Sequence, residues 1–123
     1  MLYAILCYDS EAVVGSWSKE QDAAAIAKLD LVQERLAKDG RLGPVARLMP
    51  TTAATTLRKG KEALVIDGPF AETKEQLLGF FVVDCASLEQ AIETAKDLGR
   101  ASSSNGSYEI RPMMLYRPGG LAP

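Results

Sequence analysis

The chain has 123 residues, 47% of them hydrophobic, which suits one domain over residues 1–123 that buries an ordinary core without disulfide or metal staples. Its 16 acids and 14 bases leave a net charge of -2 and are scattered rather than blocked, so the electrostatic footprint of a nucleic-acid or anionic-membrane binder is absent. With no histidine in the chain, Ser-His-Asp and Cys-His catalysis, imidazole acid/base chemistry and histidine-based zinc sites are all excluded.

The first run, LYAILCY from Leu2 to Tyr8, is short and apolar, as a buried strand should be. It lacks the basic leader of a signal peptide and falls short of the roughly 20 apolar residues of a membrane span. A soluble, cytoplasmic protein is therefore expected. DSEAVVGSW reads as a loop. Ser18 and Gln21 then stand at capping-box spacing, which predicts a helix start. Ala25, Leu29, Val32 and Leu36 recur at helical intervals as its apolar stripe, while Lys28, Gln33, Glu34 and Lys38 keep largely to solvent. Gly40 is expected to cap this helix in the left-handed conformation.

RLGPVARLMP predicts an irregular strand interrupted at Gly43-Pro44, and ATTLRKGKEALVID a hairpin with its tip at Lys59-Gly60. LLGFFVVDC is the most strand-like run of all. Ser87 and Gln90 repeat the capping spacing before a second helix, whose stripe reads Leu88, Ala91, Ile92 and Ala95 and whose end is expected at Gly99. RASSSNG, with Ser102 to Ser104, reads as a flexible polar loop. SYEIRPMMLY follows as a strand with Tyr108 and Ile110 on one face and Glu109 and Arg111 on the other; Pro112 suits a strand end or sheet edge. Cys7 and Cys85 lie in apolar runs without CxxC spacing and are expected in the core.

This order predicts an α+β ferredoxin-like sandwich with an inserted β-hairpin, two helices covering one face of a mainly antiparallel sheet. LYAILCY and LLGFFVVDC are apolar on both alternating faces, so a second cover is needed. Another copy of the chain, sheet to sheet, is the simplest one, and a homodimer is expected.

The segment VIDGPFAETKEQ concentrates the candidate chemistry. Asp67-Gly68-Pro69 ends a strand with an acceptor, a residue free to take positive φ and one with fixed φ; Phe70 offers an apolar anchor just beyond. Two readings stand side by side. One is a capped turn followed by a solvated helical turn. The other is a site in which Asp67 or Glu72, desolvated beside Phe70, serves as general base while Lys74 opposes a substrate anion.

Gly68, Pro69, Phe70, Tyr8 and Arg111 are the candidate ligand contacts. Tyr8 and Asp9 either line that cleft or serve in the core or rim. Arg111 either holds a carboxylate bidentately or pairs with an acid on a neighbouring strand or dimer mate. Trp17 packs on Ala23 or rims the cleft. Neither a glycine-rich phosphate cradle nor a metal-ligand cluster occurs, so no cofactor or metal is expected. An RNA-recognition sheet would need aromatics two apart on one face, whereas Phe80 and Phe81 are adjacent and point to opposite faces.

The stretch DGPFAETKEQLLGFFVVD closely resembles the motif that names the DGPF group of YCII-related proteins. The resemblance extends through LYAILCY, PTTAATTLRKGKEALVIDGPF, SLEQAIETAK and YEIRP, and so over nearly the whole chain. It implies a ferredoxin-like fold assembled as a dimeric α+β barrel, with a cleft near the DGPF loop that binds a small molecule. Some members carry a His-Asp pair read as catalytic. A chain without histidine departs from that pattern, and the pair does not carry over. The resemblance also implies, by association, a regulatory link to a sigma factor. Two functions follow as expectations: a small-molecule-binding, regulatory dimer, or an enzyme using Asp67 in acid/base chemistry on a small carbonyl- or carboxylate-bearing metabolite.

Overall fold

A computed structural model describes residues 1–102 and 104–122. The elements follow in the order β1 (Leu2–Asp9), α1 (Glu11–Gly15), α2 (Lys19–Lys38), β2 (Leu42–Arg47), β3 (Thr55–Arg58), β4 (Leu64–Asp67), β5 (Gln76–Asp84), α3 (Leu88–Ala101) and β6 (Ser107–Pro112). The main sheet has the order β2-β5-β1-β6, and all its pairings are antiparallel. β1 and β2 flank β5, and β5 and β6 flank β1. Each helical connection thus returns the chain parallel to the strand it left, with one antiparallel strand between. This α+β layout is compatible with the ferredoxin-like sandwich. β3 and β4 form a separate two-stranded ribbon.

Local chemistry explains where the helices start and stop. Ser18 Oγ accepts from the Gln21 N–H at 3.1 Å and Gln21 Oε1 accepts from the Ser18 N–H at 2.8 Å, so the capping box closes at the start of α2. At the other end Gly40 has φ 68, its N–H donates to Ala37 and that of Arg41 to Leu36, which satisfies carbonyls the helix would otherwise orphan. The loop expected at DSEAVVGSW instead contains α1. Ser10 caps it, and Glu11 anchors it by accepting from the Thr51 N–H and hydroxyl, both at 2.7 Å. That anchor lies 40 residues away in sequence, out of reach of any local pattern.

α3 requires two corrections. It does not end at Gly99 but continues to Ala101, because Leu98, with 0% exposure, pins the last turn into the core. Its buried stripe is Ala91, Thr94, Ala95 and Leu98, whereas Leu88 and Ile92 are 49% and 37% exposed. Thr94 was invisible to a hydrophobic count. Its hydroxyl is buried only because it donates to the Gln90 carbonyl at 2.9 Å and accepts from Arg41 Nη2 at 2.7 Å. In the loop expected at Ser102 to Ser104, Ser102 follows directly on α3, and Ser103 lies outside the described residues.

One face of the sheet carries the core. Ile5 sits opposite both Phe81 and Ile110, and Tyr3 opposite Val83; Val32 and Leu36 of α2 and Ala91, Ala95 and Leu98 of α3 join them in one cluster. Each buried Ile, Val or Leu among them contributes about 1.5–3 kcal/mol by leaving water, and the alanines less. By alternation, Ala4 and Leu6 of β1 and Phe80 and Val82 of β5 belong to the other face. The ribbon exposes Leu57, Leu64 and Val65 at 58%, 56% and 65%. Among the described residues, no helix is long and apolar enough to cross a membrane.

Candidate functional site

Where β1 runs out and α2 begins, a cleft of about 690 Å³ opens between helix and sheet. Its origin lies in side-chain size. Ala25 of α2 lines it and is too small to fill the gap between helix and sheet; Gly79 of β5 lines it too, but is glycine because a Cβ there would meet the Ala46 carbonyl oxygen of β2 at 2.3 Å. A β-bulge adds to this: Cys7 pairs with Gly79 and Tyr8 with Leu77, leaving Leu78 unopposed and also lining the cleft.

Ile26 and Leu29 of α2 continue the apolar wall, and Trp17 and Val14 close it from the α1 side. Tyr108 and the turn through Asn105 and Gly106 form the far end. Gly106 is obligatory there, since a Cβ would lie 2.1 Å from the Tyr8 carbonyl oxygen and 2.8 Å from the Asp9 carboxylate. The rim is polar. Asp9, Asp22, Asp30 and Arg47 line it, with Arg47 holding Asp22 through Nη1 at 3.3 Å and Nη2 at 2.9 Å, so that β2 and the first turn of α2 are tied across the opening.

Burial pushes the Cys7 thiol up to about 12. It likewise pushes the Tyr108 phenol to about 12; the neighbouring Cys7 and Asp9 add to the rise and a hydrogen bond with Ser102 opposes it. Both groups are therefore neutral in the fold. Because each folded value lies above the ordinary 9.0 or 10.0, the associated stability is complete below about pH 9 and is lost as pH rises toward 12. Of the 4 tyrosines, one is expected to ionise late in a titration of tyrosinate absorbance, close to alkaline unfolding. Native protein at neutral pH should resist thiol reagents until denatured, as Cys85 is 2% exposed and the Cys7 thiolate is disfavoured. Rapid labelling of both cysteines in the native state would contradict this.

Of the residues singled out from sequence, Tyr8, Asp9 and Trp17 line this cleft. Within one chain the other candidate site residues, Asp67, Gly68, Pro69, Phe70, Glu72, Lys74 and Arg111, do not. Asp67 ends β4 opposite Thr55, exposed. Gly68 has φ 98, donates its N–H to Ala54 at 2.7 Å and accepts from the Thr56 hydroxyl at 2.8 Å, which explains glycine at that turn. Pro69 is half-buried, Phe70 is 82% exposed, and Glu72 and Lys74 are exposed on a segment that is not helical. Arg111 faces Ala4 across β6 and β1, with Nε 3.6 Å from Glu109 on its own strand.

Cys7, Asp22, Asp30, Arg47, Gly106 and Tyr108 were missed as cleft residues. The sequence held two signals for them: a glycine inside the strongest strand run, which marks a bulge or close approach, and the alanine-rich first half of α2, which cannot fill a helix–sheet gap.

The structure thus defines an α+β protein with an antiparallel sheet and a small-molecule-sized cleft under its first long helix. The chain belongs to the YCII-related domain family, whose model matches residues 1–117. It is also similar to an uncharacterized protein of Rhizobium meliloti (strain 1021), at 58% identity over 122 residues and 98% of each chain.

Proposed function

We propose that this protein is a cytoplasmic, homodimeric small-molecule-binding protein whose ligand occupies the cleft between α2 and the sheet. The observation that carries the reading is the cleft itself. Its volume of about 690 Å³ falls within the roughly 300–1,000 Å³ of ligand sites, and it combines apolar walls with a few convergent polar groups. Dimerisation is supported by the apolar side chains on the ribbon and by Phe70, which a lone chain leaves in water. Acid/base chemistry by Asp67, with Glu72 and Lys74 beside it, is the alternative. It requires a second chain to bring the DGPF loop to this cleft, because within one chain Asp67 is not among the residues that line it.

Trp17 is the single tryptophan and lines the cleft, so its emission reports occupancy. Titrating a library of small apolar metabolites should shift that emission for a subset of compounds. Ile26→Phe, at a wall position that is 41% exposed and so tolerant of size, should weaken those compounds on the order of tenfold or more by filling the space. A library without hits, or hits indifferent to Ile26→Phe, would sink the reading.

A further inference from the structure

Resting on the cleft as a binding site, we infer that it selects a compact organic cation, an amine carried on an apolar or aromatic body, and rejects carboxylates and phosphates of the same shape. Three carboxylates and one guanidinium stand among the described lining residues, and they do not cancel evenly. Arg47, the only base among them, is committed to Asp22 by two hydrogen bonds. An anionic ligand could reach the remaining N–H donors only beside the Asp22 carboxylate, whose charge already offsets that of the guanidinium. Asp9 and Asp30 remain. Asp9 Oδ1 accepts from the adjacent Ser10 N–H at 2.7 Å, which leaves carboxylate lone pairs unused, and Asp30 makes no side-chain hydrogen bond or ion pair among the described residues. A cleft walled by apolar side chains focuses the field of such charges toward its interior.

The aromatic groups point the same way. Trp17 and Tyr108 both line the cleft, and the π faces of such rings attract an ammonium and repel a carboxylate. The Tyr108 hydroxyl keeps its proton, so it can donate to a neutral acceptor on the ligand's body without adding charge. Apolar body toward Ala25 and Leu29, ammonium toward Asp9 or Asp30, is the arrangement these groups can satisfy together.

The test uses three probes of one shape on the full chain, read by Trp17 emission and calorimetry at neutral pH: phenethylamine, phenethyl alcohol and phenylpropionate. The amine should bind tightest, with phenylpropionate weaker by on the order of a hundredfold and the alcohol between them. Asp30→Asn, an exposed helix position that tolerates the amide, and Asp9→Asn should each weaken the amine about tenfold and leave the alcohol unchanged. Added salt should weaken the amine alone. If the alcohol binds but the amine binds no tighter than phenylpropionate, charge selection is wrong while the cleft remains a binding site. If the amine fails to bind at all the inference is overturned, and the alcohol together with the metabolite library then decides the broader reading separately.

Discussion

Gly106→Ala should lower the unfolding free energy by about 1–3 kcal/mol, the cost of forcing an extra carbon into an occupied space, and should open the far end of the cleft as it does so. The added Cβ would meet the Tyr8 carbonyl oxygen at 2.1 Å and the Asp9 carboxylate at 2.8 Å. The first of these is backbone near the end of β1, where Tyr8 pairs with Leu77 and Ser107 in the sheet, and cannot rotate away as a side chain could. Either the turn moves off β1 or the end of the strand detaches. Both displace Asp9, so the amine probe should weaken along with stability. Gly60→Ala supplies the control, since nothing lies within 4 Å of its added carbon. Urea unfolding followed by circular dichroism distinguishes them; equal midpoints for the two variants would show that the turn is slack and the close approach unimportant.

In dilute solution, light scattering should give twice the 13.2 kDa of the chain, and charges placed on the ribbon should return it to the single-chain mass. A two-stranded ribbon is marginal by itself in water. This one leaves Leu57, Leu64 and Val65 more than half exposed, with Ile66 at 37% and Phe70 at 82%. An apolar cover contributed by a second chain relieves the cost, and a twofold-symmetric pair would do so at both ribbons together. Val65→Glu is the informative change: at 65% exposure in a lone chain the charge is solvated and the fold should survive, whereas in a dimer it would be desolvated without a partner. A wild-type mass of 13.2 kDa at micromolar concentration, or a dimer indifferent to Val65→Glu, would remove the homodimer from the reading.

The strand end at Asp67 and the positive φ at Gly68 were read correctly because both demands are local; the cap by Asp67 and the helical turn after it are not found among the described residues. What lies opposite the Asp-Gly-Pro segment is a matter of distant packing. Asp67 and Phe70 looked like a site on grounds of composition, yet the cleft of a single chain is lined by the later part of the same motif, Leu78 to Phe81, and by no residue from Asp67 to Gln76. Arg111 was open between a ligand and an acid; its near partner is Glu109, two residues earlier on the same strand.

What the sequence by itself determined are the features governed by interactions within a few residues or by alternation: β1, the capping box of α2, the Schellman end at Gly40, the irregular β2, the ribbon, β5 and β6, and through their order the α+β class. Histidine's absence is also decided there. Tertiary structure alone decided that Glu11 reaches Thr51 and holds α1, that Arg41 satisfies the buried Thr94 of α3, and that Ala25 of α2 comes to line one cleft with Cys7, Leu78 and Tyr108. The physical reason is common to all three. Each depends on groups far apart in sequence meeting at a distance set by packing, and residue patterns encode which face is buried far better than which side chain it is buried against.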